Sequence, residues 1–218
     1  MNLRLLQLAS PSLPVGAYSY SQGLEAAVEA GIVRDAASAR RWIGDVLAIS
    51  VRGMEAPVLL RLVDAWKRGD SASARRWNAE FVASRETSEL RAETLQMAYS
   101  LRNLLRDLGE DTAALEGIEE LAYPAAFAFA VARWDIDAGE ALGAYLFAWV
   151  ENQMLAALKS VPLGQTDGQR ILRDLSEHIP RIVEEAAAMH DDDLANLAPG
   201  LAILSSRHET QYTRIFRS

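Results

Sequence analysis

The stretch TSELRAETLQMAYSLRNLLRDL, residues 87–108, contains the clearest helical pattern in the chain. Thr87 or Ser88 can cap its start, and Gly109 can end it. Apolar or small side chains recur at intervals of three and four over about five turns. They are Leu90, Thr94, Met97, Leu101, Leu104 and Leu108. This spacing places them on one face, so the stretch predicts a long amphipathic helix with one buried side.

Similar helical patterns fill most of the chain on both sides of this stretch. Asp35 and Asp137 are candidate N-caps of two further helices. The segment Ala125–Trp134 has little polar content, which is typical of a helix buried in a core or at a subunit interface. No stretch alternates with the two-residue period of a strand. We therefore predict an all-α fold, a single-domain bundle of about ten helices.

Glycine, proline and acidic residues mark the expected helix boundaries. Gly53 is expected to interrupt the helix that starts after Asp35, because glycine weakens a helix interior. Asp191–Asp193 is expected to be a helix N-terminus, where negative charge is favourable. Pro199-Gly200 is expected to start a last helix over Leu201–Ser206. We therefore predict a helical domain over residues 1–206, followed by a tail over residues 207–218.

Composition and charge limit the classes of function. The 218 residues carry a formal net charge of −8 and include no cysteine. The acidic charge argues against nucleic acid or an anionic membrane as a main partner. Without cysteine, disulfides, thiolate metal sites and cysteine nucleophiles are excluded. We find no secretory signal pattern and no run of about 20 apolar residues that could span a membrane, so we expect a cytoplasmic protein.

Established catalytic motifs are absent from the sequence. It lacks the Gly-x-x-x-x-Gly-Lys-Ser/Thr pattern of P-loop hydrolases, the Gly-x-Ser-x-Gly elbow and His-Glu-x-x-His. His190 beside Asp191–Asp193 is more simply a solvated helix end than a metal site, because three consecutive carboxylates on a helix cannot all face one ion. We predict no catalytic residue, no metal site and no cofactor, which describes an adaptor or a chaperone better than an enzyme.

The passage PSLPVGAYSYSQGLE, from Pro11 to Glu25, is the longest non-helical stretch near the start of the chain. Its prolines end the preceding apolar run, and Gly16 allows a turn. Two tyrosines that alternate with serines indicate a loop packed on the helices, either as a structural plug or as a polar surface for a partner. An α-helical enzyme or a ligand-binding regulator with a site around Ser19, Tyr20 and Glu25 is the alternative hypothesis for function.

The C-terminal segment, residues 207–218, differs in composition from the rest of the acidic chain. It carries three arginines and His208 against one glutamate, together with Tyr212, Ile215 and Phe216. Arginine and aromatic residues are typical of interface hot spots, so one hypothesis makes this segment a partner-binding tail. The other hypothesis is that Ile215 and Phe216 pack on the protein's own body.

Four passages in a fixed order carry a resemblance to a known family. They are Leu8–Glu25, Arg85–Met97, Lys159–Gln165 and His208–Ser218. Together they make nearly the whole chain similar to the urease accessory protein UreF family. Ala98-Tyr99 departs from the Gly-Arg that this family often has after its central motif.

The resemblance implies an all-α homodimer without catalytic activity of its own. It implies a scaffold that bridges UreD, called UreH in some systems, and the GTPase UreG, so that the assembly inserts nickel into apo-urease. Regulation of the GTPase is a further implication. The residues expected to contact UreD are His208, Glu209, Tyr212, Arg214, Phe216, Arg217 and Ser218. A second set comprises Ser19, Tyr20, Glu25, Lys159, Gln165 and Gln169. These residues are expected to face UreG or to line a metal route, or equally to hold the loops of the fold together.

For these tail residues we propose a mode of binding. We expect the tail to become ordered on docking, with Arg214 and Arg217 pairing to the partner and Phe216 as its apolar anchor. Deletion of Arg207–Ser218 would then abolish partner binding and leave the helical content intact.

Overall fold

Twelve α-helices account for most of residues 2–218, the part of the chain that the computed structural model describes. This part contains no β-strand, so the prediction of an all-α fold is confirmed. None of its helices is long and apolar enough to cross a membrane. The helices are α1 (Leu3–Leu8), α2 (Leu24–Glu29), α3 (Ala36–Val46), α4 (Ala56–Lys67), α5 (Ser71–Ala83), α6 (Ser88–Asp107), α7 (Ala113–Glu116), α8 (Tyr123–Arg133), α9 (Ala138–Ser160), α10 (Gln165–Ser176), α11 (Ile179–Ala188) and α12 (Pro199–His208).

Helix α8 lies in the core of the bundle because its sequence is apolar on nearly all sides. Its residues 124–131 are all buried, and five of these eight positions are alanine or proline. Such small side chains allow α4 and α6 to pack closely against it. Trp66 of α4 meets Phe129 edge to face, with the ring centroids 5.4 Å apart. The segment predicted to be buried on most sides therefore belongs to the core.

Helix α6 is the long helix predicted from residues 87–108. Thr87 is its N-cap, and the Thr87 Oγ1 accepts a hydrogen bond from the N–H of Leu90 at 3.2 Å. The predicted stripe is buried from Leu90 to Leu101, whereas Leu104 is partly buried and Leu108 is exposed. Leu105, which the stripe did not include, is buried in the last turns. The buried side also contains Glu93, so a carboxylate faces the interior of the protein.

The helix that begins after Asp35 does not stop at Gly53, contrary to the expectation from sequence. Helix α3 continues through a π-helical segment, Leu47–Glu55, directly into α4. A Cβ atom on Gly53 would lie 2.5 Å from the carbonyl oxygen of Ala195. The Gly53 carbonyl also accepts a hydrogen bond from the Ala195 N–H at 3.0 Å. Glycine is needed here for a close approach of two backbones, and the helix tolerates it.

Two expected boundaries near the C-terminus are wrong. Asp191–Asp193 forms one 3-10 turn and does not start an α-helix. The Asp191 carboxylate accepts a hydrogen bond from Arg61 Nε at 2.6 Å, so an arginine side chain balances this charge instead of a helix dipole. Helix α12 runs from Pro199 to His208, beyond the expected end at Ser206. The last helix therefore delivers His208 directly into the protein interior.

Candidate functional site

The C-terminal segment lies folded against α2, α6 and the N-terminal loop, residues 9–23. Its inner face is buried: His208 is inaccessible, and Phe216 and Ser218 are 5% and 1% exposed. Its outer face is open to solvent and comprises Glu209, Thr210, Tyr212, Thr213, Arg214, Ile215 and Arg217. Self-packing thus accounts for Phe216 and does not account for Ile215 or Tyr212.

Glu25, in the first turn of α2, binds the backbone of the C-terminal segment. Its Oε1 accepts a hydrogen bond from the N–H of Ile215 at 2.7 Å, and its Oε2 accepts one from the N–H of Phe216 at 2.9 Å. The Nε2 atom of His208 lies 3.0 Å from the same Oε2. A buried carboxylate is tolerated only when donors surround it. All of these donors come from the C-terminal segment.

His208 lies between two carboxylates from different helices. Its Nδ1 is 2.7 Å from Glu89 Oε2 on α6, while its Nε2 faces Glu25 on α2. Glu89 also accepts a hydrogen bond from Arg214 Nη1 at 2.6 Å. One imidazole therefore connects α2, α6 and α12, and Arg214 adds its positive charge at Glu89.

Glu93, one turn further along α6, holds the end of the segment. Ser218 Oγ donates a hydrogen bond to Glu93 Oε2 at 2.9 Å, and Gln22 Nε2 donates one to Oε1 at 2.6 Å. Desolvation by burial raises the pKa of Glu93 from 4.5 to about 7, and these two hydrogen bonds offset the shift only in part. The Ser218 carbonyl oxygen in turn accepts from the N–H of Ser21 at 2.7 Å.

The end of the N-terminal loop packs closely against the helices that surround the C-terminal segment. Gln22 and Gly23 both have positive φ angles, 51° and 79°. A Cβ atom on Gly23 would lie 2.9 Å from Leu201 Cδ1, so glycine allows α12 to approach. The Gln22 side chain is bonded at both ends, because its Oε1 accepts from Trp149 Nε1 at 2.8 Å while its Nε2 donates to Glu93. These bonds connect the loop to α6 and α9.

Lys159, near the end of α9, links the same loop to the segment by cation–π contacts. Its Nζ lies 5.8 Å from the ring centroid of Tyr18 and 5.4 Å from that of Phe216. Tyr20 is buried, and desolvation raises the pKa of its hydroxyl, an effect that the Arg217 side chain of the segment partly offsets. The Ser19 carbonyl accepts a hydrogen bond from the N–H of Arg217. Of the second set of predicted residues, Ser19, Tyr20, Glu25 and Lys159 therefore meet the segment.

Gln165 and Gln169 do not join this cluster. Both are exposed on α10, and neither makes a hydrogen bond to the C-terminal segment within residues 2–218. The structure thus separates the second predicted set into a group that supports the segment and a pair on another helix.

A second cluster of buried polar side chains lies next to Glu93 and consists of Tyr145, Glu55 and Arg85. The Tyr145 hydroxyl donates a hydrogen bond to Glu55 of the π-helical segment, and Arg85 Nη1 lies 3.5 Å from Glu55 Oε2. Burial raises the pKa of the Tyr145 hydroxyl, and the Glu55 charge adds to this. These side chains and Glu93 line a cavity of about 80 Å³, enough for a few water molecules.

The alternative hypothesis of an enzyme requires Ser19, Tyr20 and Glu25 to face a substrate. Both Glu25 oxygens are occupied by the C-terminal segment, and the Ser19 carbonyl accepts from the N–H of Arg217 at 2.8 Å. The carboxylate with the raised pKa is Glu93, whose oxygens are also bonded within the protein. Within residues 2–218, no group of three or more His, Cys, Asp or Glu residues is arranged to hold a metal ion. This geometry favours a structural role for the cluster.

Sequence reasoning missed Ser21, Gln22, Glu89 and Glu93 as site residues. A usable signal existed for Glu93, because it lies three residues after Leu90 on the predicted apolar stripe of α6. A glutamate on a buried helix face needs a donor, and sequence alone did not indicate that Ser218 would supply one.

Comparison with known proteins identifies relatives along nearly the whole chain. The UreF family model matches residues 33–176. The "Urease accessory protein UreF" of Azoarcus sp. (strain BH72) is 58% identical over 99% of this chain and 95% of its own length. That of Dechloromonas aromatica (strain RCB) is 51% identical over 99% of this chain and 96% of its own length.

A further relative joins two units in one polypeptide. The "Bifunctional urease accessory protein UreEF" of Bordetella bronchiseptica is 47% identical over 98% of this chain, which corresponds to 51% of that protein. The family model and the near-complete coverage at this identity agree with the four motifs and the all-α fold. The chain therefore belongs to the UreF family of urease accessory proteins.

Proposed function

We propose that this chain is a non-catalytic, cytoplasmic scaffold of urease maturation. In this proposal it forms a homodimer, bridges UreD (UreH) and the GTPase UreG, and regulates the GTPase while the assembly inserts nickel into apo-urease. The observation that carries the proposal is the anchored C-terminal segment, whose inner face is held by buried carboxylates while its outer face exposes arginines and apolar side chains.

The outer face of the segment has the composition of an interface. Tyr212 is fully exposed and Ile215 is 61% exposed, with Arg214 and Arg217 beside them in the sequence. Exposed aromatic, aliphatic and arginine side chains together are typical of hot spots. Because Glu25 holds the backbone of the segment and Glu93 holds the Ser218 side chain, a partner would have less conformational entropy to remove on binding.

The packing of the C-terminal segment on the chain's own body favours a mode of docking that differs from the one expected from the sequence. The sequence predicted a tail that becomes ordered when it binds, whereas the segment is ordered on the chain's own body through Glu25, Glu89 and Glu93. We infer that UreD meets a surface that is already folded. His208, Phe216 and Ser218 then act by holding this surface, while Glu209, Tyr212, Arg214 and Arg217 contact the partner.

The relative in which two units are fused supports a role for this chain beside other urease maturation proteins. A chain similar to this one is continuous with a second unit in a protein named for both, UreE and UreF. Physical linkage of two such units is expected when they act on the same substrate, here apo-urease with its nickel.

Point substitutions test the proposal better than truncation. Deletion of residues 207–218 would remove the donors of Glu25 and leave Glu93 with Gln22 alone, so the remaining chain should itself be destabilised. Tyr212→Ala and Arg217→Ala remove exposed side chains, of which Arg217 also interacts with the Tyr20 hydroxyl. We expect them to change the free energy of unfolding by less than about 1 kcal/mol.

The measurement is the dissociation constant for purified UreD from the same source, with UreG added to detect the ternary complex. We expect the double variant Tyr212→Ala/Arg217→Ala to bind UreD at least about tenfold more weakly. Tyr99→Ala, which removes an exposed tyrosine from α6, is the matched control and should bind normally. Equal affinities for the two variants would exclude the segment as the UreD site. Failure of the unaltered chain to bind either protein would refute the scaffold.

A further inference from the structure

A groove runs along the outer side of α9, next to α1 and the N-terminal loop. It has a volume of about 170 Å³. Its walls are mostly apolar and include Leu8, Pro11, Leu13, Tyr18, Ala148 and Leu155. Among the described residues that line it, Glu151 is the only one with a charge.

Glu151 differs from the buried carboxylates that hold the C-terminal segment. It is partly buried, yet within residues 2–218 it makes no hydrogen bond and no ion pair. Desolvation raises the pKa of its carboxyl. Glu25 and Glu93, in contrast, accept two or more hydrogen bonds each. The Glu151 oxygens are not among the buried atoms of the protein, so water reaches them in the free chain. A single negative charge in an otherwise apolar groove is complementary to one cation from outside.

The groove is continuous with the outer surface of the C-terminal segment. Phe147, Glu151, Leu155 and Lys159 follow one another at four-residue intervals and so lie along one side of α9. At the far end of this row, the Lys159 Nζ lies 5.4 Å from the ring centroid of Phe216 on the inner face of the segment. Tyr18 of the groove wall is followed by Ser19, whose carbonyl accepts a hydrogen bond at 2.8 Å from the N–H of Arg217 on the outer face. At the near end, Phe147 is 39% exposed, and α1 adds further exposed leucines next to α9.

We propose that this α9 groove and the C-terminal segment form one continuous binding surface for the same partner protein. In this proposal the groove binds an apolar stretch of that partner, and one lysine or arginine in the stretch pairs with Glu151. The inference rests on the proposed function, in which a partner binds the segment. It adds the chemistry of the second contact: apolar side chains along α9 and one cation at Glu151.

The first experiment reverses the charge of the groove. Glu151→Lys should weaken binding of purified UreD at least about tenfold, because it places a second cation opposite the partner's own. Glu184→Lys, an equal charge change at an exposed position on α11, is the control and should weaken binding less than about threefold. Glu151→Gln keeps the shape of the side chain and should weaken binding by an intermediate factor, so the test holds even if the lysine variant folds poorly.

The second experiment maps the occupant directly. The chain contains no cysteine, so Phe147→Cys supplies one unique attachment point for a photo-crosslinker at the edge of the groove. In the complex with UreD, we expect the crosslink to fall on an apolar stretch that contains a lysine or arginine. Replacement of that cation by glutamate should restore binding to Glu151→Lys.

The outcomes separate this inference from the proposed function. If Tyr212→Ala/Arg217→Ala weakens binding while Glu151→Lys and Glu184→Lys behave alike, the segment is the partner site and the groove is not part of it. If none of these variants weakens binding, the proposed surface itself is wrong. Crosslinking to a second copy of the chain, or to an acidic stretch, would also overturn the groove assignment.

Discussion

The centre of the bundle and the polar cluster under the C-terminal segment are both buried, but they consist of opposite kinds of side chains. This polar cluster, Glu25, Glu93 and His208, is called the seat of the segment below. Around α8 the buried residues are alanines and aromatics, and Phe127 packs its ring against Tyr145 at a centroid distance of 5.0 Å. Under the segment the buried groups are Glu25, Glu93 and His208, joined by directed hydrogen bonds. The first region is stabilised by removal of apolar area from water, and the second by matching each charge to a donor.

This difference predicts how the stability of each region should respond to substitution and to pH. Apolar packing has no direction and no proton equilibrium, so damage to the α8 region depends on the volume removed. The seat of the segment depends on donors supplied by residues far away in the chain, and Glu93 titrates near neutral pH. Substitution and pH should therefore act on the two regions differently.

The largest effect is expected in the core. Phe127→Ala removes a ring that is 1% exposed and leaves a cavity between α8 and α9, which should lower the free energy of unfolding by about 3–5 kcal/mol. Urea unfolding measures this change, and Phe147→Ala, at a partly exposed ring on α9, is the control. A similar small loss in both variants would mean that the α8 region is not the centre of stability.

Glu25→Ala tests the seat of the segment. It leaves two backbone N–H groups and one ring nitrogen of His208 without their acceptor, so we expect a loss of about 2–4 kcal/mol. Hydrogen exchange should show loss of protection at the amides of Ile215 and Phe216, with the amides of α8 unaffected. Glu29→Ala, an exposed glutamate on the same helix, provides the control. Protection that survives in Glu25→Ala would contradict the hydrogen-bonded seat.

Glu93→Gln tests the pH dependence. The folded pKa of about 7 lies above the ordinary 4.5, so the folded state holds this proton more tightly. Stability from this group is complete below pH 4.5 and decreases as the pH rises through about 7, by about 3 kcal/mol in all. The amide keeps the shape and stays neutral, so the variant should be more stable than the unaltered chain at pH 8 and nearly equal to it at pH 4.5.

Thermal unfolding across this pH range measures the difference, and Glu29→Gln should follow the unaltered chain at every pH. Parallel pH profiles for Glu93→Gln and the unaltered chain would show that Glu93 does not carry the pH dependence. The difference in the free energy of unfolding between Glu93→Gln and the unaltered chain can then be compared with the loss caused by Phe127→Ala in the core.

Most of the helical fold was predictable because its signals are local. The apolar stripe of α6 and the cap at Thr87 can be read within about six turns of one helix. Gly53 was misjudged for the opposite reason, since its role depends on Ala195, which is far away in the chain. At that position the tertiary contact, and not the low helix propensity of glycine, determines the local structure.

By itself the sequence determined the fold class, the long helices, the absence of cysteine chemistry and the family, because periodicity, composition and motif order are properties of the chain alone. Only the tertiary structure decided which face of the C-terminal segment is buried. Glu25 and His208 are 183 residues apart, and no local pattern pairs a carboxylate with a donor at that distance. The same holds for Glu151, because a missing partner can be recognised only after every neighbour has been placed.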